Sequence, residues 1–258
     1  MQSAPLKKQS AGRRLQFVEK SLVGGCHRSR VPETLANRLM KLLLPILIVF
    51  SMAQMHTVAG DTNTNDIHVA LVFDDGPFPE HAPKLLELFA REHIHATFSF
   101  VGTNVESHPE TAKAVVAAGH EIANHSFNHL HPKSLDDATL EQEIANAQKL
   151  ITATTGFTPK WYWPPYLESD DRVRAAAKAQ IQVYAPKHLV VSHDYDRAVS
   201  ADEIQQKATS NVADGTVILF HEWRDETFER LPAIIAELRR QHCVFLTFSE
   251  PAAYVGAQ

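Results

Sequence analysis

The stretch Ile67-His68-Val69-Ala70-Leu71-Val72-Phe73-Asp74-Asp75-Gly76-Pro77 decides the fold. Its first seven residues are an apolar run broken by a turn, which reads as a buried strand. Asp, Gly and Pro all favour turns, so the segment taken alone also fits an ordinary turn. What sets it apart is the pair of carboxylates, Asp74 and Asp75, at a strand's carboxyl end. In barrels and open α/β sheets catalytic groups collect there, because the loops vary while the sheet holds their roots.

Working outward from this stretch, strand-like and helix-like segments alternate, the pattern of α/β architecture. Helix is predicted over 83–92, started by a proline, and over 109–118, ended by Gly119. A third helix, 136–154, carries Leu140, Ile144, Ala147 and Ile151 at helical spacing and stops at Gly156. Further helices are predicted over 171–179, 201–212 and 228–240. Strands are predicted over 96–101, 121–124, 160–163, 181–184, 189–191, 216–220 and 243–248. No repeat, low-complexity tract or linker interrupts residues 60–258, so one domain is expected. Periodicity alone leaves a parallel barrel and an open doubly wound sheet both open.

A second constellation, His125-Ser126-Phe127-Asn128-His129, follows the strand at 121–124. Two histidines four apart face the same way on a helical turn. With a carboxylate from elsewhere they make a three-ligand metal site that leaves a position open for water, which is catalytic rather than structural chemistry. His131 reads as a neighbour or surface residue, since a fourth protein ligand would close that position. Asp74, Asp75, His125, Tyr166, Asp194 and His221 all fall just past a predicted strand, as one rim of a parallel barrel would arrange them.

With these residues in hand the sequence resembles the polysaccharide deacetylase family, carbohydrate esterase family 4. Phe73 to Pro77 and His125 to His129 look like its first two motifs. Trp163-Pro164-Pro165-Tyr166 looks like the third, His193-Asp194-Tyr195 the fourth and Leu219-Phe220-His221 the fifth. The likeness covers about residues 66 to 256. It implies an irregular (β/α) barrel of about seven parallel strands. It implies that Asp75, His125 and His129 bind a divalent metal, zinc first, with Asp74 as general base and His221 as general acid partnered by Asp194. Tyr166 matches a position whose backbone N–H binds the oxyanion. Trp163, Pro165, Tyr195 and Leu219 would contact substrate, Leu219 serving equally as a core leucine. Three positions depart from the family pattern: Trp163 stands where arginine orients the base, Tyr195 where tryptophan follows the aspartate, and Glu222 where aspartate is usual.

The first 59 residues carry 9 Lys and Arg against 2 Asp and Glu, leaving 16 against 28 and a formal charge of −12 for residues 60–258. So acidic a chain has no electrostatic reason to hold nucleic acid or an anionic membrane surface. A neutral glycan suits it better, and no protein partner is implied. Met40-Lys41 followed by the apolar residues 42–52 reads as a signal peptide over 40–59, with translation expected to start at Met40 or, alternatively, a long basic segment ahead of the apolar core. That core is short and contains Pro45, so no stable membrane anchor is expected and the domain is read as periplasmic or secreted. Of the two cysteines, Cys26 lies in the leader and Cys243 in an apolar run, so no disulfide is expected.

These readings converge on a metal-dependent hydrolase that removes N-acetyl groups from an N-acetylhexosamine glycan, such as a chitooligosaccharide or peptidoglycan. Two rivals remain at this stage: a glycan-binding relative weakened in catalysis by Trp163, and an amidohydrolase acting on small amides.

Overall fold

The structure, a computed structural model, describes residues 66–250. The expected leader, signal peptide and start at Met40 lie outside the described residues. Strand β1 (Ile67–Gly76) runs through the middle of a sheet whose every pairing is parallel. The other strands are β2 (Thr97–Phe100), β3 (Glu121–Asn124), β4 (Trp161–Tyr162), β5 (Gln182–Val183), β6 (His188–Val191), β7 (Thr216–His221) and β8 (Cys243–Leu246). The spatial order is β5-β4-β3-β2-β1-β7-β6. β7 takes one edge of β1 from Val69 to Asp74, so β8, paired to Ile67–Ala70, and β2, paired to Val72–Gly76, share the other. Seven strands thus form the path of an irregular, curled (β/α) barrel, and the eighth fills the base of β1's second edge.

Helices α1 (Ala82–Glu92), α2 (Gly102–Ser107), α3 (Pro109–Ala117), α4 (Asp137–Thr155), α5 (Asp171–Lys178), α6 (Ala201–Thr209) and α7 (Asp225–Arg240) alternate with the strands. Their ends follow local chemistry. Asp136 accepts the Thr139 N–H at the start of α4, Gly156 ends it in the left-handed region at φ 74, and Ser200 and Glu203 close a capping box on α6. Short α2 and the first turn of α7 go beyond the sequence expectation. The first has too few apolar positions to show a period, and the second opens with the charged run Asp225-Glu226.

Strand alternation sorts side chains into two cores. Val69, Leu71 and Phe73 point outward under the helices, where Phe73 packs on Phe89, Phe98 and Phe220. Ala70 and Val72 point inward with Ala123, Val217, Leu219, Trp163, Tyr184 and Phe248. Tyr184 stacks on Phe248 at 3.8 Å, and Phe248 lies 5.3 Å from the Trp163 ring, so aromatic side chains fill the interior. Asp74 continues the inward series of β1 at its carboxyl end, and His221 that of β7. The site is therefore rooted in the barrel's own packing. Cys243 is a buried free thiol on β8, in line with its apolar surroundings.

Candidate active site

Asp74 and His221 are register partners on β1 and β7, and both project into the barrel mouth. Asp74 is buried. Its Oδ2 accepts the Trp163 Nε1–H at 2.9 Å, and its Oδ1 is buried without a hydrogen-bond partner. Burial, the dominant influence, raises its carboxyl above the usual range, opposed by the charges of His125 and His221.

Asp75 turns the other way because its backbone is left-handed, at φ 72. Its Oδ2 accepts from Trp223 Nε1 at 2.8 Å, while its Oδ1 has no hydrogen-bond donor and lies 3.1 Å from His129 Nε2 and 3.6 Å from His125 Nε2. One ligand atom from each of Asp75, His125 and His129 lies within 4.8 Å of the others. Burial pushes the Asp75 carboxyl up, but the two histidines outweigh it and hold it well below the usual range. For His125, burial opposes the charged form, yet the Asp74 charge and Asp75 hold its proton affinity above normal. A pocket that draws positive charge in this way, around an orphaned carboxylate oxygen, fits a cation. The His-His-carboxylate donor set suits zinc and leaves coordination positions open.

His125 is oriented from behind: its Nδ1 lies 2.5 Å from the Trp163 carbonyl, so Nδ1 carries a proton and Nε2 is the ring nitrogen turned to the point shared with Asp75 and His129. The histidines do not stand on a helical turn, as their spacing suggests. Residues 125–131 form an irregular loop with Ser126 and His129 in the left-handed region, at φ 69 and 56. Glu143, buried on α4, shapes that loop. Its Oε2 accepts from Ser126 Oγ at 2.7 Å, Phe127 N at 3.2 Å and Asn128 N at 2.8 Å, and its Oε1 from Asn128 Nδ2 at 2.6 Å. The sequence held one clue: Glu143 interrupts the apolar stripe Leu140, Ile144, Ala147.

His221 Nδ1 lies 2.7 Å from Asp194 Oδ1, and Asp194 Oδ2 accepts from the His221 backbone N–H and from Thr227 Oγ1. Asp194 is fully buried. Burial works against a charged His221, but the Asp194 hydrogen bond and the surrounding carboxylates outweigh it and raise the imidazole to about 9. The ring is thus an imidazolium at neutral pH, as a proton donor must be.

The remaining expected residues fall into two groups. Tyr166 stands at the rim, 51% exposed, within the short turn Pro165–Leu167 and at φ 57. The turn's hydrogen bonds run from Leu167 N to Pro164 O and from Glu168 N to Pro165 O, leaving the Tyr166 N–H outside that pairing. Tyr195 is half exposed, its ring 5.8 Å from His221 and its hydroxyl on His193 Nδ1. Leu219 and Pro165 are buried. Trp163, expected to contact substrate, is 1% exposed and packs on Tyr184 and Phe248, so its face is not available and its N–H is what reaches the site. His131 stacks on Tyr166 at 3.6 Å and faces Glu168, away from the other two histidines' ligand atoms.

Trp223 and Glu222 were not singled out by the sequence as working residues. Glu222 lies under the turn at Gly76-Pro77: its Oε1 accepts the Phe78 N–H at 2.8 Å, and a Cβ at position 76 would come within 1.8 Å of its Oε2. Only glycine allows that approach. Burial pushes the Glu222 carboxyl up to about 8.

Residues 61–184 match the family described as polysaccharide deacetylase. A peptidoglycan-N-acetylglucosamine deacetylase of Bacillus cereus is 30% identical over 201 residues, covering 76% of this chain and 93% of that protein. A family 4 carbohydrate esterase from Streptomyces lividans, solved in complex with acetate, superimposes with a TM-score of 0.64 and 32% identity over 69% of this chain and 91% of that one. A CE4 family pseudoenzyme from Bacillus anthracis does so with a TM-score of 0.67 and 25% identity over 72% and 65%.

Proposed function

This chain belongs to the polysaccharide deacetylase family, and on that premise we propose that it is a metal-dependent hydrolase removing N-acetyl groups from a glycan built of N-acetylhexosamine. The observation that carries the reading is the division of labour around Asp75 Oδ1. Three donors converge on one point, with the Asp74 carboxylate, 3.8 Å from His125 Nε2, and the charged His221 at its border. A divalent cation held by Asp75, His125 and His129, zinc by its donor preference, would supply Lewis acidity to the acetyl carbonyl and lower the pKa of water.

The chain's own residues do the rest. The Asp74 carboxylate takes a proton from the attacking water as the new C–O bond forms, and Trp163 holds that carboxylate in place through Oδ2. The Tyr166 backbone N–H donates to the oxyanion that develops on the acetyl oxygen. His221 Nε2 gives its proton to the amide nitrogen as the C–N bond breaks, releasing acetate and leaving a free amine on the sugar. Asp194 keeps the tautomer and stabilises the imidazolium. Leu219 and Tyr195 border the space for the acetyl methyl group and the sugar.

The acidic body and the leader-like first 59 residues support an exported enzyme acting on an extracellular or periplasmic glycan. No helix among the described residues is long and apolar enough to cross a membrane. Assaying acetate release from chitin oligomers, peptidoglycan fragments and acetylxylan tests the substrate class. Release from either N-acetylated glycan supports the reading, and release from acetylxylan alone overturns it.

A further inference from the structure

Position 223 lies outside all five motifs, yet its side chain reaches the centre of the site. The Trp223 Nε1–H donates to Asp75 Oδ2 at 2.8 Å, the oxygen of that carboxylate turned away from His125 and His129. The indole is itself confined. Its ring lies 5.5 Å from that of His221, and the Arg197 guanidinium sits 5.6 Å over it. A cation over the π face draws electron density from the ring and sharpens the N–H as a donor to an anion.

A free carboxylate can bind a cation through one oxygen or both, and it turns readily about its last torsion. At Asp75 the indole N–H holds Oδ2 on the side away from the histidines and turns Oδ1 toward them. We propose that Trp223 is a positioning residue for the metal ligand Asp75, fixing it as a one-oxygen donor and thereby setting both the affinity of the site and the positions left open for water and substrate. The proposal rests on the metal reading given above. Together with Trp163 on Asp74, it means that each of the adjacent carboxylates is held through one oxygen by its own tryptophan.

The test is a calorimetric Zn2+ titration of chelator-stripped protein. Wild type, Trp223→Phe and Trp161→Phe are compared, the last an indole bonded to Ser249 away from the site. Trp223→Phe keeps an aromatic face and loses only the N–H. Its Zn2+ affinity should fall by about ten- to a hundredfold, the usual scale for removing a ligand's outer partner, with Trp161→Phe unchanged. A second measurement needs no folded variant: in wild type, the Trp223 indole N–H proton resonance should shift on adding Zn2+ while that of Trp161 stays in place. Equal affinity in Trp223→Phe, or an indole resonance indifferent to Zn2+, overturns the role of Trp223 and leaves the deacetylase reading standing. Wild type that binds no divalent metal overturns both.

Discussion

The Trp163 indole N–H donates to Asp74 Oδ2 at 2.9 Å, bridging 89 residues of chain, and that same oxygen lies 3.8 Å from His125 Nε2. A neutral donor therefore holds Asp74 where the family pattern has arginine. Trp163→Phe keeps the packing on Phe248 and deletes the bond. A hydrogen bond to a charged group contributes about 1.5–3 kcal/mol, so turnover should fall by roughly ten- to a hundredfold. Because the indole face is buried, KM should move little; steady-state kinetics on one oligomer separate the two. A rise in KM with kcat intact would return Trp163 to a sugar-binding role.

His221 and Asp194 make the pH dependence specific. The imidazole is raised to about 9 by its carboxylate partners against the pull of burial. Its contribution to stability is full below its unfolded value near 6.5 and is lost as pH rises through about 9. Its acid form should likewise persist above the ordinary imidazole range, giving turnover an alkaline limb set by His221. Asp194→Asn should move that limb to lower pH, and His221→Ala should keep Zn2+ while losing roughly two to four powers of ten in turnover. An alkaline limb that does not move in Asp194→Asn assigns the proton to another group.

Much of this was legible in the chain itself. The strand-helix alternation and the positions of His125 and Asp194 past strand ends follow from local patterns. By contrast, β1 runs on through Asp74 and Asp75 to Gly76 and β7 includes His221, because ladder pairing carries both strands past the expected ends at Phe73 and Phe220. The geometry between motifs was not legible. His125 and His129 meet through left-handed residues and the carboxylate of Glu143, fourteen positions beyond the second histidine, whereas spacing alone suggested a helical turn. Trp163 and Trp223 act through single N–H groups whose acceptors lie 89 and 148 residues away, and no periodicity encodes such a pairing.

Glu143 predicts a loss of order confined to the histidine loop. Glu143→Gln puts an NH2 group where carboxylate oxygens accept four hydrogen bonds. Stability should fall by roughly 2–3 kcal/mol in denaturant unfolding, with weaker Zn2+ binding. Unchanged metal affinity would show that the loop holds its shape without Glu143.

Glu222 has the opposite sign to a paired carboxylate. Burial raises it to about 8, so in metal-free protein the unfolded chain gives up this proton near pH 4.5 while the folded one keeps it to about pH 8. Its contribution to stability should decline as pH rises across that window. Glu222→Gln retains an acceptor for the Phe78 N–H and should flatten the decline in melting temperature measured from pH 5 to 8. An identical slope in the variant would locate the titration elsewhere.

Acetate release from an N-acetylhexosamine oligomer, followed by wild type and Asp74→Asn after chelator treatment and again after Zn2+ is restored, tests the central claim most directly. Wild type should be inactive when stripped and active when restored, while Asp74→Asn binds Zn2+ and stays inactive throughout. Restored wild type that holds Zn2+ and binds the oligomer yet releases no acetate would contradict the account and make the chain a glycan-binding relative.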